Sequence, residues 1–461
     1  MPASLFSEFG FSDKTTWKEQ AKKELGKSEN KINSWKIAPN LHVEAYYTAA
    51  EMKSGQFADL QNSQKKIPGW HNTPLINFDK PWPTNARIRS LLEEGADAIL
   101  LNLPEPELIK SELAKTLHAV RLSDARIFFQ TKINPEKLFD EISKGAGYYL
   151  KGGIANDPLA NWMRSGTEYK HAIDDVCAVL HKTKTMREFR PLMIESHMYH
   201  NAGADPVQEL AFLLAGTVHY VDKLTDAGIS TLHALNRFFY SVSVGTDYLT
   251  EIAKLRALRF LHQKICRAYQ LPDELGHPFI HAQTSSFYNT RQVAETNMIR
   301  ATSEAMSAVI GGCDALTVLP YDHLLIETKG FSDRIAGNIS SLLSSESYFD
   351  RVADPAAGSY LIEHLSLKLA DAAWDLFLQT EEKGGLVACF ETGFIQDEIE
   401  KSWLEKAASL HAARVMVGVN KFAFHETMPV PSQVSPAGDQ EQRTKTLPVR
   451  NLSESWKEAK L

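Results

Sequence analysis

The feature of this 461-residue chain that most restricts its fold is the order of residue types between positions 280 and 322. A polar cluster of His, Gln, Thr and Ser residues (281–285) is followed by a long helical pattern and then by an apolar run, 315–319. Barrel enzymes hold ligands on the loops between the carboxyl ends of their strands and the following helices, so polar residues belong at those strand ends. The segment therefore predicts one strand–helix–strand unit of a barrel.

Strand and helix patterns alternate along the chain from Asn85 onward. Besides the run 315–319, the predicted strands are Ala98–Leu103, Arg126–Gln130, Tyr148–Leu150, Leu192–Ile194 and Arg414–Gly418. The predicted helices are Asn85–Glu94, Glu105–Val120, Pro135–Lys144, a long helix capped by Asp205, Thr246–Tyr269, Arg291–Val309, Phe331–Ser345 and Leu365–Thr380. The glycines between residues 145 and 153 have the spacing of a turn, not of a dinucleotide-binding loop. The predicted fold class is therefore α/β, with a (β/α)8 TIM barrel.

Three regions differ in their residue pattern. Residues 1–75 are punctuated by Pro and Gly and predict an extended arm, with one helix, Asp13–Leu25, capped by Thr15 or Thr16. Such an arm cannot bury a core of its own, so we expect it to pack on the barrel or on a partner chain. Residues 76–424 form the predicted barrel. Residues 425–461 are a Pro-, Ser- and charge-rich tail, too poor in apolar residues for another domain.

Composition and charge exclude several classes of function. The formal net charge is -7, and the sequence has no long run of Lys or Arg. It therefore shows none of the basic segments with which proteins bind the phosphates of nucleic acids. No apolar run reaches membrane-spanning length and no secretory leader is visible, so we expect no membrane partner. The widely spaced cysteines indicate free thiols in a reducing cytoplasm and no thiolate metal site; they are Cys177, Cys266, Cys313 and Cys389.

Five short motifs follow one another in the order and spacing of a single enzyme family. They are Ala202–Ala204, Glu251–Arg259, Phe331–Asn338, Asp354–Tyr360 and Val417–Lys421. Together with the polar cluster 281–285 and the helix after it, they make residues 46–422 resemble the acyl-CoA-binding barrel of methylmalonyl-CoA mutases. Each motif alone is a weak signal, and the resemblance depends on their common order.

The resemblance implies a cofactor, adenosylcobalamin, whose cobalt–carbon bond cleaves homolytically. In the family this cofactor is held by a separate flavodoxin-like domain through an Asp-x-His-x-x-Gly motif. That motif does not occur in the sequence, so we expect no cobalamin-binding domain here and the cofactor on a partner chain. The family's barrel encloses the acyl-CoA, keeps water from the radicals, and supplies a proton-donating His beside a Tyr.

The positions that match the family's catalytic residues carry other side chains. Counted back from Ala202, the catalytic His position is Met198 and the Tyr position is His197, while the pocket Gln position is Ala155. A thioether cannot donate a proton to a thioester carbonyl. A one-residue slip that moved His197 into the His position would, in a strand, turn it to the other face. We therefore assign no catalytic residue to this chain.

Four polar residues remain as vestigial ligand-binding candidates: Arg237, His281, Gln283 and Ser285. The last three match family residues near substrate and cofactor, although buried polar groups at strand ends also persist because they hydrogen-bond one another. For Arg237, contact with a CoA phosphate and a helix-anchoring salt bridge are equally compatible with the sequence. The pairs His197/His200 and His277/His281 lack a third metal ligand, so no metal site is predicted.

The departures make the chain resemble the smaller, inactive subunit of the heterodimeric members of the family. The resemblance implies a cytoplasmic structural partner of a homologous large catalytic subunit that interconverts methylmalonyl-CoA and succinyl-CoA. Two alternatives remain open, a catalytic barrel that uses a separate cobalamin-binding chain and a CoA-ester binding protein. The first would keep the family's Arg-Gln-Tyr stretch, which has no counterpart between Pro81 and Asn85.

Overall fold

The computed structural model describes residues 13–26, 35–39, 41–52, 54–103, 109–131, 133–145, 149–325, 330–412, 414–423 and 446–458. The strands are β1 (Trp35–Ala38), β2 (Leu41–Val43), β3 (His71–Asn72), β4 (Leu75–Asn77), β5 (Ala98–Asn102), β6 (Arg126–Gln130), β7 (Gly152–Ala155), β8 (Phe189–Arg190), β9 (Leu192–Glu195), β10 (Phe238–Val244), β11 (Ile280–Thr284) and β12 (Ala315–Thr317). β1 and β2 form an antiparallel hairpin. The other strands form two parallel sheets, in the orders β3-β12-β11-β10-β9 and β4-β5-β6-β7-β8. The predicted α/β class is confirmed.

Helices separate most of these strands along the chain. They are α1 (Lys14–Leu25), α2 (Ser54–Asn62), α3 (Pro81–Glu93), α4 (Ile109–Thr116), α5 (Pro135–Gly145), α6 (Pro158–Ser165), α7 (Lys170–Lys182), α8 (His197–Ala202), α9 (Pro206–Asp226), α10 (Thr231–Asn236), α11 (Tyr248–Ala268), α12 (Thr296–Ile310), α13 (Gly330–Ser345), α14 (Tyr360–Glu382), α15 (Gly385–Glu391), α16 (Phe394–Ala412) and α17 (Leu452–Glu458). No helix within the described ranges is long and apolar enough to cross a membrane.

Two prolines mark the junctions between the parallel sheets. Pro74 separates β3 from β4, and hydrogen bonds continue on both sides of it: the Thr73 N–H donates to the Leu316 carbonyl at 2.9 Å, and the Leu100 N–H donates to the Pro74 carbonyl at 3.0 Å. Pro191 separates β8 from β9, where the Met193 N–H donates to the Asn156 carbonyl at 3.2 Å. Because Pro has no N–H to give to a ladder, each proline ends one pairing while the chain runs on into the next sheet.

β7 requires glycine at its first two positions. Gly152 has φ +99°, and a Cβ there would overlap the Ile127 carbonyl of β6; a Cβ on Gly153 would overlap the Arg190 carbonyl of β8. These glycines are therefore part of a tightly packed strand, not of the turn that their spacing predicts. The strand predicted at Tyr148–Leu150 is wrong, since Tyr149 and Leu150 are irregular and Tyr148 lies outside the described residues.

The largest core lies between the β9–β12 half of the fold and the three long helices α9, α11 and α14. Two of the family-like motifs meet in it, because Arg256 of α11 forms ion pairs with Glu363 of α14 and with Asp354. Arg259, one turn further along α11, pairs with Asp314 at 2.7 Å, directly before β12. The motifs therefore fix the helices to the sheet by buried charge pairs.

The arm and the tail both pack on the central body. In the arm, Asp13 caps α1 in place of the predicted Thr15 or Thr16, and the Tyr47 ring stacks on His364 of α14 with centroids 4.3 Å apart. In the tail, the Arg450 N–H donates to the Asn201 carbonyl at 2.7 Å. β3 falls inside the predicted arm and α17 inside the predicted tail, and the division 1–75, 76–424 and 425–461 stays a prediction.

One further predicted element differs from the structure near the end of the body. The strand predicted at Arg414–Gly418 is wrong: this segment is irregular and contains only one isolated bridge, Val417 to Lys421, with Gly418 at φ +79°. The strand β10 and the helices α15 and α16 have no counterpart in the predicted elements. The helices beyond Thr380 therefore carry the chain back to the face of the body that the tail covers.

Candidate functional site

A narrow space lies among the inward-facing side chains of the two parallel sheets. Phe128 of β6 and Phe239 of β10 line it, and Phe279, which directly precedes β11, packs against both rings. The Phe128 centroid lies 5.1 Å from that of Phe239 and 6.0 Å from that of Phe279. The remaining volume is about 10 Å³, which is room for one water molecule at most. Aromatic side chains thus fill the volume that the strands enclose.

His197 borders this space and is hydrogen-bonded through both ring nitrogens. Its Nδ1 lies 2.7 Å from Ser243 Oγ and its Nε2 lies 2.7 Å from Ser241 Oγ. Ser241 Oγ also lies 2.7 Å from Nδ1 of His281, whose Nε2 is 2.8 Å from Thr317 Oγ1. Because a hydroxyl can donate one hydrogen bond and accept others, these side chains can form an unbroken chain with both imidazoles neutral.

Burial favours the neutral form of both imidazoles. Loss of solvation lowers the pKa of His281 to about 4. Burial, with repulsion from His281, lowers the pKa of His197 well below its usual value. At neutral pH neither ring therefore carries the proton that a general acid must donate.

The strand predicted at Leu192–Ile194 is β9, which ends at Glu195, and His197 lies beyond it at the start of helix α8. In a helix, successive side chains are not placed on opposite faces, so His197 reaches the narrow space without any slip in the sequence match. Met198 points instead into the main core, where it is buried. Ala155, the last residue of β7, borders the narrow space with a methyl group.

Ser285 belongs to a second buried network, separate from that of His281. Its Oγ lies 2.7 Å from Nε2 of His200, whose Nδ1 lies 2.8 Å from Glu209 Oε1. The Lys254 ammonium donates to Glu209 Oε2 at 3.1 Å. Although burial opposes ionisation of Glu209, the positive charge of Lys254 and the hydrogen bond with His200 lower its pKa to about 2. The carboxylate is therefore ionised and fully engaged inside the protein.

The structure brings His281 and Gln283 together at the narrow space but does not bring Arg237 there. Arg237 directly precedes β10, at the opposite end of that strand from Ser243. Its guanidinium donates to the carbonyl oxygens of Phe189 and Thr183, at 2.9 and 3.0 Å from Nη2. These backbone contacts hold the loop before β8, and they take the place of the salt bridge that the sequence left open.

A larger cavity, of about 300 Å³, opens at the carboxyl ends of β5, β6, β7 and β9. We call it the mouth cavity; its polar lining consists of Asn102, Gln130, Thr131, Asn156, Asp157, Asn161, Arg164 and Glu195. Arg164 of α6 forms an ion pair with Glu195, whose side chain is only 3% exposed. Burial raises the pKa of Asp157 to about 6, against the hydrogen bond that Tyr220 donates to it. In the described ranges, no group of three His, Cys, Asp or Glu side chains is placed to hold a metal ion.

Comparison with known proteins shows the family to which this chain belongs. The family model described as methylmalonyl-CoA mutase matches residues 137–459. The methylmalonyl-CoA mutase small subunit of Porphyromonas gingivalis is 30% identical over 439 residues, which cover 91% of this chain and 71% of that protein. The chain belongs to the methylmalonyl-CoA mutase family. The mutase small subunit of Streptomyces virginiae is 32% identical over 80% of this chain, and that of Propionibacterium freudenreichii is 29% identical over 76% of it.

The match to these mutase small subunits does not extend over their whole length. The chain spans 61% of the Streptomyces protein and 57% of the Propionibacterium protein. Each relative is therefore longer than the part that this chain matches.

Three interior histidines of this mutase-family body, His197, His200 and His281, are not free to bind the cobalt of a cobalamin. An axial imidazole must offer a nitrogen lone pair to cobalt. His197, His200 and His281 each have both ring nitrogens hydrogen-bonded within the protein. Coordination by any of them would break one of these buried bonds, so no step is assigned to cobalamin on this chain.

The sequence alone did not identify the hydroxyl partners of the two imidazoles. Ser241 and Ser243 alternate with apolar residues along β10, which is the period of a strand with a polar inner face. That pattern would have found them had β10 been predicted as a strand. The sequence indicates His200 only as a possible metal ligand. It gives no signal for Arg164, because the partner of that side chain, Glu195, lies 31 residues away in sequence on another element.

Proposed function

We propose that this chain is the small, non-catalytic subunit of a heterodimeric adenosylcobalamin-dependent methylmalonyl-CoA mutase. In this proposal it stabilises a homologous large subunit, which binds the cofactor and interconverts methylmalonyl-CoA and succinyl-CoA. The similarity to proteins named as mutase small subunits supports the pairing.

The observation that carries the proposal is the filled interior. We propose that the two parallel sheets form one closed (β/α)8 barrel, joined through the broken strands at Pro74 and Pro191. The cyclic order of pairing supports closure, since β3 pairs with β12 while β4, two residues further on, pairs with β5. In such a barrel the three Phe rings leave about 10 Å³, so an acyl-CoA arm has no path through the interior.

The side chains at the inner surface also lack the chemistry of a mutase. A catalytic imidazole must hold a proton and reach the substrate carbonyl. His197 and His281 hold each other's position through Ser241, and burial keeps both neutral. The matched catalytic position, Met198, faces the core. The inner surface therefore stabilises the barrel and performs no proton transfer.

The arm supports an interface with a second chain. α1 has no buried residue within this chain, and Leu25 at its end is 40% exposed. Its contacts with the rest of this chain are peripheral: Lys14 and Lys18 pair with Glu44, and the Trp17 ring stacks on Tyr46. Such surface contacts add little to a 12-residue helix, which is only marginally stable on its own in water. We propose that the large subunit covers this helix, as part of an obligate interface with the arm and the barrel helices.

Co-expression with the large homologous subunit tests the proposal. The mixture should elute as a one-to-one complex in size-exclusion chromatography with light scattering, and only the complex or the large subunit should show turnover with adenosylcobalamin. Leu25→Glu on α1 should weaken the complex at least about tenfold, because a charge would be buried. Val449→Glu in the tail, where the exposed fraction is 77%, is the matched control outside the arm and the barrel helices.

Turnover by the isolated chain with adenosylcobalamin and methylmalonyl-CoA would refute the non-catalytic assignment. A chain that stays apart from the large subunit at micromolar concentrations would refute the proposed partner.

A further inference from the structure

We infer that the mouth cavity is a binding site for a small neutral ligand that carries carboxamide groups. This inference does not rest on the proposed partner or on the mutase reaction, because it uses only residues of this chain. The cavity lies beyond the carboxyl ends of four neighbouring strands, which is where α/β barrels receive ligands. Its volume of about 300 Å³ lies at the lower end of the range of small-molecule sites.

The polar groups of the cavity are mainly carboxamides with free hydrogen-bonding capacity. Among the described residues, the side chain of Gln130, at the end of β6, has no hydrogen-bond partner. Asn156 is only 6% exposed; its Oδ1 accepts a bond of 2.6 Å from Asn161 Nδ2, which leaves its own Nδ2 to face the cavity. Asn102 donates to Asn77 at 2.9 Å, so its Oδ1 remains as an acceptor. A carboxamide ligand offers both donors and acceptors to such a wall.

The charged groups of the cavity select against anions. Arg164 is the cation of the lining, and it is already paired with Glu195. A ligand carboxylate placed on Arg164 would meet the nearly buried Glu195 carboxylate, and like charges at short distance in a poorly solvated site repel strongly. A neutral ligand leaves the Arg164–Glu195 pair intact. The cavity therefore discriminates by charge, and its preference depends on two acidic residues, Glu195 and Asp157.

The floor of the cavity is apolar and suits a short aliphatic segment. Leu103, Ala155 and Met193 provide it, between the ends of β5, β7 and β9. A four-carbon diamide places two polar ends against the carboxamides and its methylenes on this floor. Succinamide is the probe of this shape, and succinate has the same length but ionised ends.

Ligand-observed NMR titration of the full chain with succinamide and with succinate tests the inference. We expect succinamide to bind with a Kd in the millimolar range, as is usual for a ligand of this size, and at least about tenfold more tightly than succinate. Gln130→Leu should weaken succinamide binding at least about tenfold, because it removes the free carboxamide. Gln292→Leu, at an exposed Gln outside the cavity, is the matched control and should leave binding unchanged.

Glu195→Gln supplies the decisive change of preference. The substitution keeps the shape of the side chain and removes the charge paired with Arg164, while Asp157 still faces the cavity, so the preference for succinamide over succinate should fall at least about tenfold. Unchanged thermal unfolding of each variant shows that the fold is retained. The inference is overturned by equal binding of both probes to the unmodified chain, by no binding of succinamide at about 50 mM, well above the ~mM affinity expected, or by a Gln130→Leu variant that binds as before.

Discussion

The Arg256 guanidinium donates to the Glu363 carboxylate across 2.9 Å, and neither side chain is exposed to solvent. The pair joins α11 to α14, two helices that are far apart in sequence. Glu363 also accepts hydrogen bonds at its other oxygen, from Gln61 Nε2 and from the Gly358 N–H, both at 2.9 Å. A buried carboxylate satisfied from three sides fixes the relative position of both helices and of the turn before α14.

Removal of one member of this pair should destabilise the protein strongly. Glu363→Leu leaves the Arg256 charge buried without a full partner, and we expect the free energy of unfolding to fall by about 3–5 kcal/mol. Urea unfolding followed by circular dichroism measures the change. Glu93→Leu breaks an exposed pair with Arg89, with side chains 74% and 52% exposed, and should change stability by less than about 0.5 kcal/mol. Similar losses in the two variants would contradict the structural role of the buried pair.

The two imidazoles of the inner surface predict a specific sensitivity to acid. The folded-state pKa of His281 is about 4, below the ordinary value of 6.5, so the unfolded chain binds a proton more readily than the folded one. Stability from this group is therefore complete above about pH 6.5 and is lost as the pH falls towards 4. The lowered pKa of His281 corresponds to a loss of about 3 kcal/mol in the free energy of unfolding once the protein is fully in the acid range.

Stability curves measured between pH 8 and pH 4 test this expectation. The His281→Gln variant, which cannot be protonated, should be less stable at pH 8 because its hydrogen bonds are disturbed, but its stability should fall less steeply with acid. His42→Gln, at a residue of the arm hairpin, is a matched control and should keep the slope of the unmodified chain. A His281→Gln curve parallel to that of the unmodified protein would show that His281 titrates normally.

How well the sequence predicted an element depended on where its stabilising contacts lie. β6 was predicted with its observed ends, Arg126 and Gln130, because a run of apolar residues buried on both faces is a local signal. The segment 414–418 has the same local pattern but is irregular, and Gly418 adopts φ +79° there. β10 was missed although its serines alternate with apolar residues, which is the period of a strand with a polar inner face.

The residues of the candidate site were likewise predicted only where the signal was local in the sequence. The sequence placed His281 and Gln283 at a ligand-facing strand end, and both do border the inner space. The family match also identified Met198 as an unsuitable replacement, which its buried position supports. The expectation for His197 failed because it depended on strand geometry, whereas α8 begins at that residue. Contacts between distant strands, such as Ser241 with both imidazoles, leave no mark in a single sequence.

At high pH, a substitution that removes the charge of Glu304 should raise the free energy of unfolding. Its Oε2 accepts a hydrogen bond of 2.9 Å from the Ser285 N–H, while its Oε1 is buried and has no hydrogen-bond partner. Burial raises the pKa of Glu304 well above its usual value. The folded state therefore holds the proton more tightly than the unfolded chain, so this carboxyl favours folding at low pH and opposes it as the pH rises through the folded-state value.

Glu304→Gln should therefore unfold at the same urea concentration as the unmodified protein near pH 5. At pH 9 it should be more stable by about 1 kcal/mol or more, since the amide keeps the acceptor for Ser285 and carries no charge. Glu346→Gln, at an exposed Glu, is the control and should show no such dependence on pH. A Glu304→Gln variant that is less stable at pH 9 would mean that the ionised carboxylate is stabilised within the protein.

The close packing of β7 gives the sharpest test of the backbone. Gly152 and Gly166 both have positive φ, +99° and +72°, so a side chain at either position strains the backbone. They differ in space, because a Cβ at Gly152 overlaps the Ile127 carbonyl whereas a Cβ at Gly166 meets no atom within 4 Å. Gly166→Ala should cost about 1 kcal/mol, the strain alone. Gly152→Ala should cost at least about 3 kcal/mol more, or prevent folding, because β6 and β7 must separate. Equal urea midpoints for the two variants would show that β7 does not lie this close to β6. That result would also contradict the filled barrel interior that we propose, because the interior is filled only if these strands pack this closely.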